Sequence, residues 1–151
     1  MPDLVISDTS SLILFDKIRE LELLHKTYQT IITTPEVAEE YVEKLPNWIV
    51  VKPVNDKKYQ EFLETQVDKG EASAIALAKE FENVLLLLDD LKARKLASRL
   101  NLRYTGALGV IHKAKQLKLI TKVKPLLDKI VLTDFRISKK VIAELLRIND
   151  E

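Results

Sequence analysis

Five short apolar runs, separated by stretches of helical period, constrain this chain more than any other feature. They are "LVISD" (4–8), "QTIIT" (29–33), "WIVVKPV" (48–54), "NVLLLL" (83–88) and "LRYTG" (102–106). Short strands joined through helices read as an α/β fold, a mainly parallel central sheet flanked by helices. A chain of 151 residues is long enough to enclose a hydrophobic core as a single domain, residues 1–151. Pro53 has no amide donor, so the third run is expected at a sheet edge. Helix starts are marked by the hydroxyls of Thr9, Ser10 and Ser11, by Thr34 before Pro35, and by Ser138. Residues 57–67 and the Ala-rich 70–81 are expected to be helical.

In a parallel sheet the functional crevice lies beyond the carboxyl ends of the strands. Two runs stop there in aspartate, the first at Asp8 and the fourth at Asp89, with Asp90 next to it. Asp8 has three hydroxyls beside it that could cap the following helix, so a carboxylate is not needed for capping alone. Glu71 falls between Ile75 and Ala78 on the helical wheel, inside the arc that holds Ala74 and Phe81. A first-turn glutamate normally faces water, and burying a lone carboxylate is costly unless it is paired, protonated or bound to a cation. In the helix opened by Pro35, Glu39 and Glu40 flank an apolar face of Val37, Ala38, Tyr41, Val42 and Leu45. Periodicity does not choose between them, and Glu36 points most directly away.

Carboxylates converging at one sheet end repel and need a counter-charge. Hard divalent cations, Mg²⁺ or Mn²⁺, meet that need with oxygen ligands. The chemistry such a cluster supports is metal-assisted phosphodiester hydrolysis. With no cysteine there is no thiolate nucleophile and no disulfide, and the two histidines, His25 and His112, disfavour zinc. No phosphate-binding glycine loop and no Ser/His/Asp arrangement competes. The N-terminus carries no signal-peptide pattern and no run reaches the roughly 18 apolar residues that span a bilayer, so a cytoplasmic location without membrane association is expected. The net charge of +1 hides an asymmetry: residues 92–140 hold 14 Lys or Arg against 2 acids, Asp128 and Asp134. Such an excess suits a polyanion, although lysines also coat solvated helix faces.

The order of these features resembles the PIN-domain family, and within it the compact toxin ribonucleases of prokaryotic toxin–antitoxin pairs. "LVISDTSSLILFDKI" is similar to the family's opening strand and hydroxyl turn, and "TTPEVAEEY" to its Pro–Val–Glu helix. "GEASAIALAKE" and "VLLLLDDLKARKLA" resemble the segments holding its later acids, and "YTGALGVIHKAKQLKLI" the extension of one subgroup. The resemblance implies a PIN-like α/β/α fold and an RNA-cleaving enzyme. It places the family's acids on Asp8, Glu40, Glu71 and Asp89, of which Asp8, Glu71 and Asp89 would bind Mg²⁺ or Mn²⁺. Ser10 and Asp90 would stand close to the metal, with Asp90 also fitted to cap the next helix or, one residue out of register, to replace Asp89. Glu71 stands where many relatives have aspartate, which leaves as alternative a catalytically weak or inert module that binds RNA or protein. The implied partners are RNA, a small antitoxin and a second copy in a homodimer. Lys92, Arg94, Lys95, Arg99, Lys113 and Lys115 are then expected to hold RNA phosphates.

Overall fold

Each apolar run hydrogen-bonds to another, and each helical stretch carries the chain back so that the next run enters in the same direction. The structure, a computed structural model, describes residues 2–151. Strand β1 (Leu4–Ser7) leads through helices α1 (Thr9–Lys17) and α2 (Leu21–Tyr28) to β2 (Ile31–Thr33). Helix α3 (Pro35–Tyr41) returns to β3 (Ile49–Val51), and α4 (Lys57–Leu63) and α5 (Lys69–Ala78) return to β4 (Val84–Leu87). Then follow α6 (Leu91–Arg99), β5 (Arg103–Thr105), α7 (Ala107–Gln116), α8 (Lys124–Val131) and α9 (Lys139–Ile148). The five strands are all parallel, in the order β3-β2-β1-β4-β5. The α/β expectation holds, and β3 lies at an edge although Pro53 itself falls beyond the strand.

Alternation along the strands divides the core into two layers. Val5, Ile31, Ile49 and Leu87 face α1, α2, α7 and α8, while Ile6, Ile32, Leu86 and Leu88 face α5 and α6. Burying each of these side chains contributes about 1.5–3 kcal/mol against leaving it in water. Helix α5 is buried on every side, from Gly70 to Ala78, because its alanines let the sheet and α3, α4 and α6 approach closely. The burial of Glu71 therefore reflects a wholly enclosed helix rather than one apolar face.

Two elements are shorter than their periodicity suggests. Helix α3 stops at Tyr41, and Val42, expected on its apolar face, turns out to water with φ of 71° and 85% exposure. The chain reverses there so that residues 49–51 can reach the edge of β2. Helix α4 stops at Leu63 instead of Val67, because Asp68 must begin α5 on a new axis. The topology has one switch point, between β1 and β4, and the register Ser7 to Leu87 brings the ends of these two strands together.

Candidate active site

Asp8 follows the last residue of β1, where its backbone N–H donates to Leu87 O (3.2 Å) and its side chain caps α1. The Ser11 N–H donates to Asp8 Oδ1 (3.0 Å), whereas Oδ2 is buried and accepts nothing. Burial pushes the Asp8 carboxyl up to about 7, Ser11 pulls it partly back, and the charges of Asp89 and Asp68 add to the rise. A buried carboxylate oxygen without a donor is costly unless a proton or a cation supplies the missing partner. So Asp8 both caps and presents a free oxygen.

Asp89 sits one residue beyond Leu88 and meets the N-terminus of α7. The Ala107 N–H lies 3.2 Å from each of its carboxylate oxygens, and Arg94 Nη2 lies 3.4 Å from Oδ1. Its pKa is raised by burial, while Ala107 and Arg94 draw it down. Gly106 forms the floor of this arrangement: a Cβ there would lie 2.0 Å from Arg94 Nη2 and 2.3 Å from Asp89 Oδ1. Asp90 caps α6, accepting from the Ala93 N–H (3.0 Å), and its charge also reaches Glu71.

Glu71 is the third acid of the enclosed region. Burial pushes it up to about 8, with Asp68 and Asp90 as the next contributors. Its Oε1 also accepts from the Asp68 N–H (3.3 Å) while its own N–H donates to Asp68 Oδ1 (2.8 Å), a reciprocal capping box. Asp68 is the acid that the sequence reading missed, and the Asp-x-x-Glu spacing before an apolar helix was its signal. Its charge reaches Asp8, Glu40 and Glu71 alike.

Of the pair that periodicity left open, Glu40 lies against α5. A Cβ on Gly70 would stand 2.1 Å from Glu40 Oε1 and 3.1 Å from Thr9 Oγ1, so this glycine leaves room for the carboxylate. Desolvation and then Asp68 raise the Glu40 pKa. Glu39 is exposed. Glu36 is not free in solvent: Gln60 Nε2 donates to it at 2.6 Å and Lys57 Nζ stands 3.6 Å away.

Ser10, expected beside the acids, is exposed. Its neighbour Ser11 is buried, and the Ser11 hydroxyl stands close enough to Asp8 and Asp89 to lower the pKa of both. The expected cation surface is also redistributed. Lys92 lines a shallow pocket of about 340 Å³ with Asp68, Glu71 and Asp90, and Arg94 binds Asp89. Lys95 is exposed on α6, and Arg99 ends that helix roughly 6 Å farther along its axis. Lys113 lines a cavity of about 770 Å³ with Pro2, Val5 and Lys26, at the opposite end of the sheet. Lys115 is tied to Asn149 O and to Glu151 Oε2 (2.7 Å), so it too is committed elsewhere. Neither histidine joins the acids: His25 stacks on Trp48 at 4.9 Å and His112 contacts Asn149.

The donor set is oxygen only, with Asp8 Oδ2 and the hydroxyls of Thr9 and Ser11 buried and unpartnered, and suits a hard cation. Among the described residues no three carboxylates are gathered tightly enough to enclose an ion as they stand. Burial first, and the neighbouring acidic charges after it, raise the Asp8 and Glu71 pKa values, so bringing these carboxylates closer needs a counter-charge. No helix among the described residues is long and apolar enough to cross a membrane. A family model described as PIN domain matches residues 4–151, whereas no curated protein and no solved structure matches the chain.

Proposed function

Since the chain belongs to the PIN-domain family, a nuclease-type fold, we propose that it is a Mg²⁺- or Mn²⁺-dependent endoribonuclease, acting in the cytoplasm as the toxin of a toxin–antitoxin pair. The observation that carries the reading is the unpartnered Oδ2 of Asp8, buried within reach of the charges of Asp89 and Asp68. Asp8, Glu71 and Asp89 are the residues that would hold the ion. Bound there, a divalent ion would ionise a water and offset charge on the leaving oxygen of a phosphodiester. Glu40, whose pKa is raised by desolvation and by Asp68, would accept a proton from the attacking water. The N-terminus of α7 and Arg94 hold Asp89 in one orientation, so that it does not swing toward solvent. The antitoxin and a homodimer rest on the sequence resemblance. A small DNA-binding protein encoded in the adjacent reading frame is the observation that would support the pair.

The purified protein should cut single-stranded RNA with Mn²⁺ or Mg²⁺ and stop on addition of EDTA. Asp8→Asn and Asp89→Asn should each abolish cutting, and cleavage that persists in Asp8→Asn would reveal a contaminating nuclease and sink the assignment. Asp90→Ala removes a cap and should cost about 1 kcal/mol of stability by thermal melting while sparing much of the activity. If Asp89→Asn cuts and Asp90→Ala does not, the metal register is shifted by one residue.

A second reading, an inert module that binds RNA or protein, draws support from the engagement of Glu71 in the capping box with Asp68. Calorimetric titration separates the two: absence of Mn²⁺ binding at millimolar concentration favours the inert module.

A further inference from the structure

Resting on the ribonuclease reading, we propose that the cleft beside Asp89 seats one unpaired nucleotide of the RNA, with its base on the Arg94–Tyr104 pair and its phosphate on Arg136. The cleft has a volume of about 530 Å³, and its walls include Asp89, Arg94, Tyr104, Gly106, Phe135 and Arg136. That is the size of a small-ligand site, and it opens directly onto a carboxylate of the acidic cluster.

Arg94 is held from three sides. Its Nε donates to Leu88 O (2.8 Å), Nη2 meets Asp89 Oδ1 (3.4 Å), and Cζ lies 5.2 Å from the centre of the Tyr104 ring. A fixed guanidinium over an aromatic ring makes a flat platform, and unpaired bases stack on both kinds of plane. Tyr104 lies on β5 at the sheet edge and is 36% exposed, so it stays open to a ligand. Arg136, on the link between α8 and α9, is exposed and has no carboxylate partner among the described residues. It supplies a cation for phosphate on the side away from the acids. The next residues past Ser138, Lys139 and Lys140, are exposed as well. A second groove of about 450 Å³ shares Phe135, Arg136, Ile137 and Ser138 with the cleft and continues it away from Asp89. A base already paired in a duplex cannot lie flat on such a platform, so the cleft selects single strands.

The test uses Asp8→Asn protein, which should not cut, a fluorescein-labelled eight-nucleotide single-stranded RNA, and Mn²⁺, read by anisotropy. Adding Tyr104→Leu should weaken binding about tenfold, the effect of losing one base–aromatic stack. Adding Arg136→Gln should weaken it too and lower the slope of log affinity against log salt by about 0.7, one phosphate contact on a single strand. Both residues are exposed, so melting curves should match the parent. Equal affinity for a duplex of the same sequence overturns the proposal. So does an RNA affinity insensitive to both changes, which would leave the cleft to a protein partner. In the Asp8-containing protein, RNA cleavage with KM unmoved by either change removes the cleft and keeps the ribonuclease. Tyr104-dependent RNA binding by a protein that never cuts does the reverse.

Discussion

Replacing Asp8 with asparagine should abolish RNA cleavage and, in metal-free protein at about pH 8, make the fold harder to melt. The two effects have one cause. Asp8 is 1% exposed, its Oδ1 is satisfied by the Ser11 N–H, and its Oδ2 has no donor. Asparagine keeps an acceptor for Ser11 and puts an amide in place of the orphaned oxygen, next to the charges of Asp89 and Asp68. The buried charge disappears, and up to about 4 kcal/mol of destabilisation goes with it, the value of a rise of roughly three pKa units. Activity should fall at least about a hundredfold, because one of the groups proposed to hold the ion is then neutral. Opposed movement of activity and stability is the mark of a residue retained for function. Loss of both together would make Asp8 a helix cap and nothing more.

The second large effect is the pH dependence of the metal-free protein. For both Asp8 and Glu71 the folded pKa, about 7 and about 8, lies above the ordinary carboxylate value. A carboxyl that binds its proton more tightly when folded contributes stability fully present below the unfolded pKa, near 4, and lost as pH rises through the folded values. Stability should therefore decline between about pH 4 and pH 8, by about 4 kcal/mol for Asp8 alone. This is opposite in sign to a protein held together by salt-bridged acids. Mn²⁺ should reverse the loss, raising the melting temperature more at pH 8 than at pH 5, since protons compete for the same oxygens. Melting curves across this range with and without metal read the effect directly. A flat profile without metal, or one left unaltered by Asp8→Asn, would mean that these carboxylates are neither buried nor coupled as the geometry implies.

Much of the fold was legible because its signals are local. Thr34 accepts from the Val37 N–H, Ser138 accepts from the Val141 N–H, and Asp90 accepts from the Ala93 N–H, each cap three residues from its donor. Helix ends were less legible. Nothing within α3 signals that Val42 will leave the helix, since its exit is set by where β3 must pair. The membership of Asp68 in the acidic cluster was written in the spacing to Glu71 but looks like ordinary capping until α3 is packed alongside. Ser11 in place of Ser10 follows from the rotation of the first turn of α1, which a run of three hydroxyls does not specify.

By itself the sequence determined a parallel α/β chain with aspartates at two strand ends, because strand and helix periods and short-range caps depend on near neighbours. Only the tertiary structure decided which charges meet. Asp8 and Asp89 are far apart in the chain and adjacent in space because β1 pairs with β4 in the register of Ser7 to Leu87. The same packing turns Arg94 onto Asp89 and Tyr104 while it carries Lys113 and Lys115 away from the acids. Electrostatic energy falls with distance through space, and distance through space is a property of strand order and helix packing.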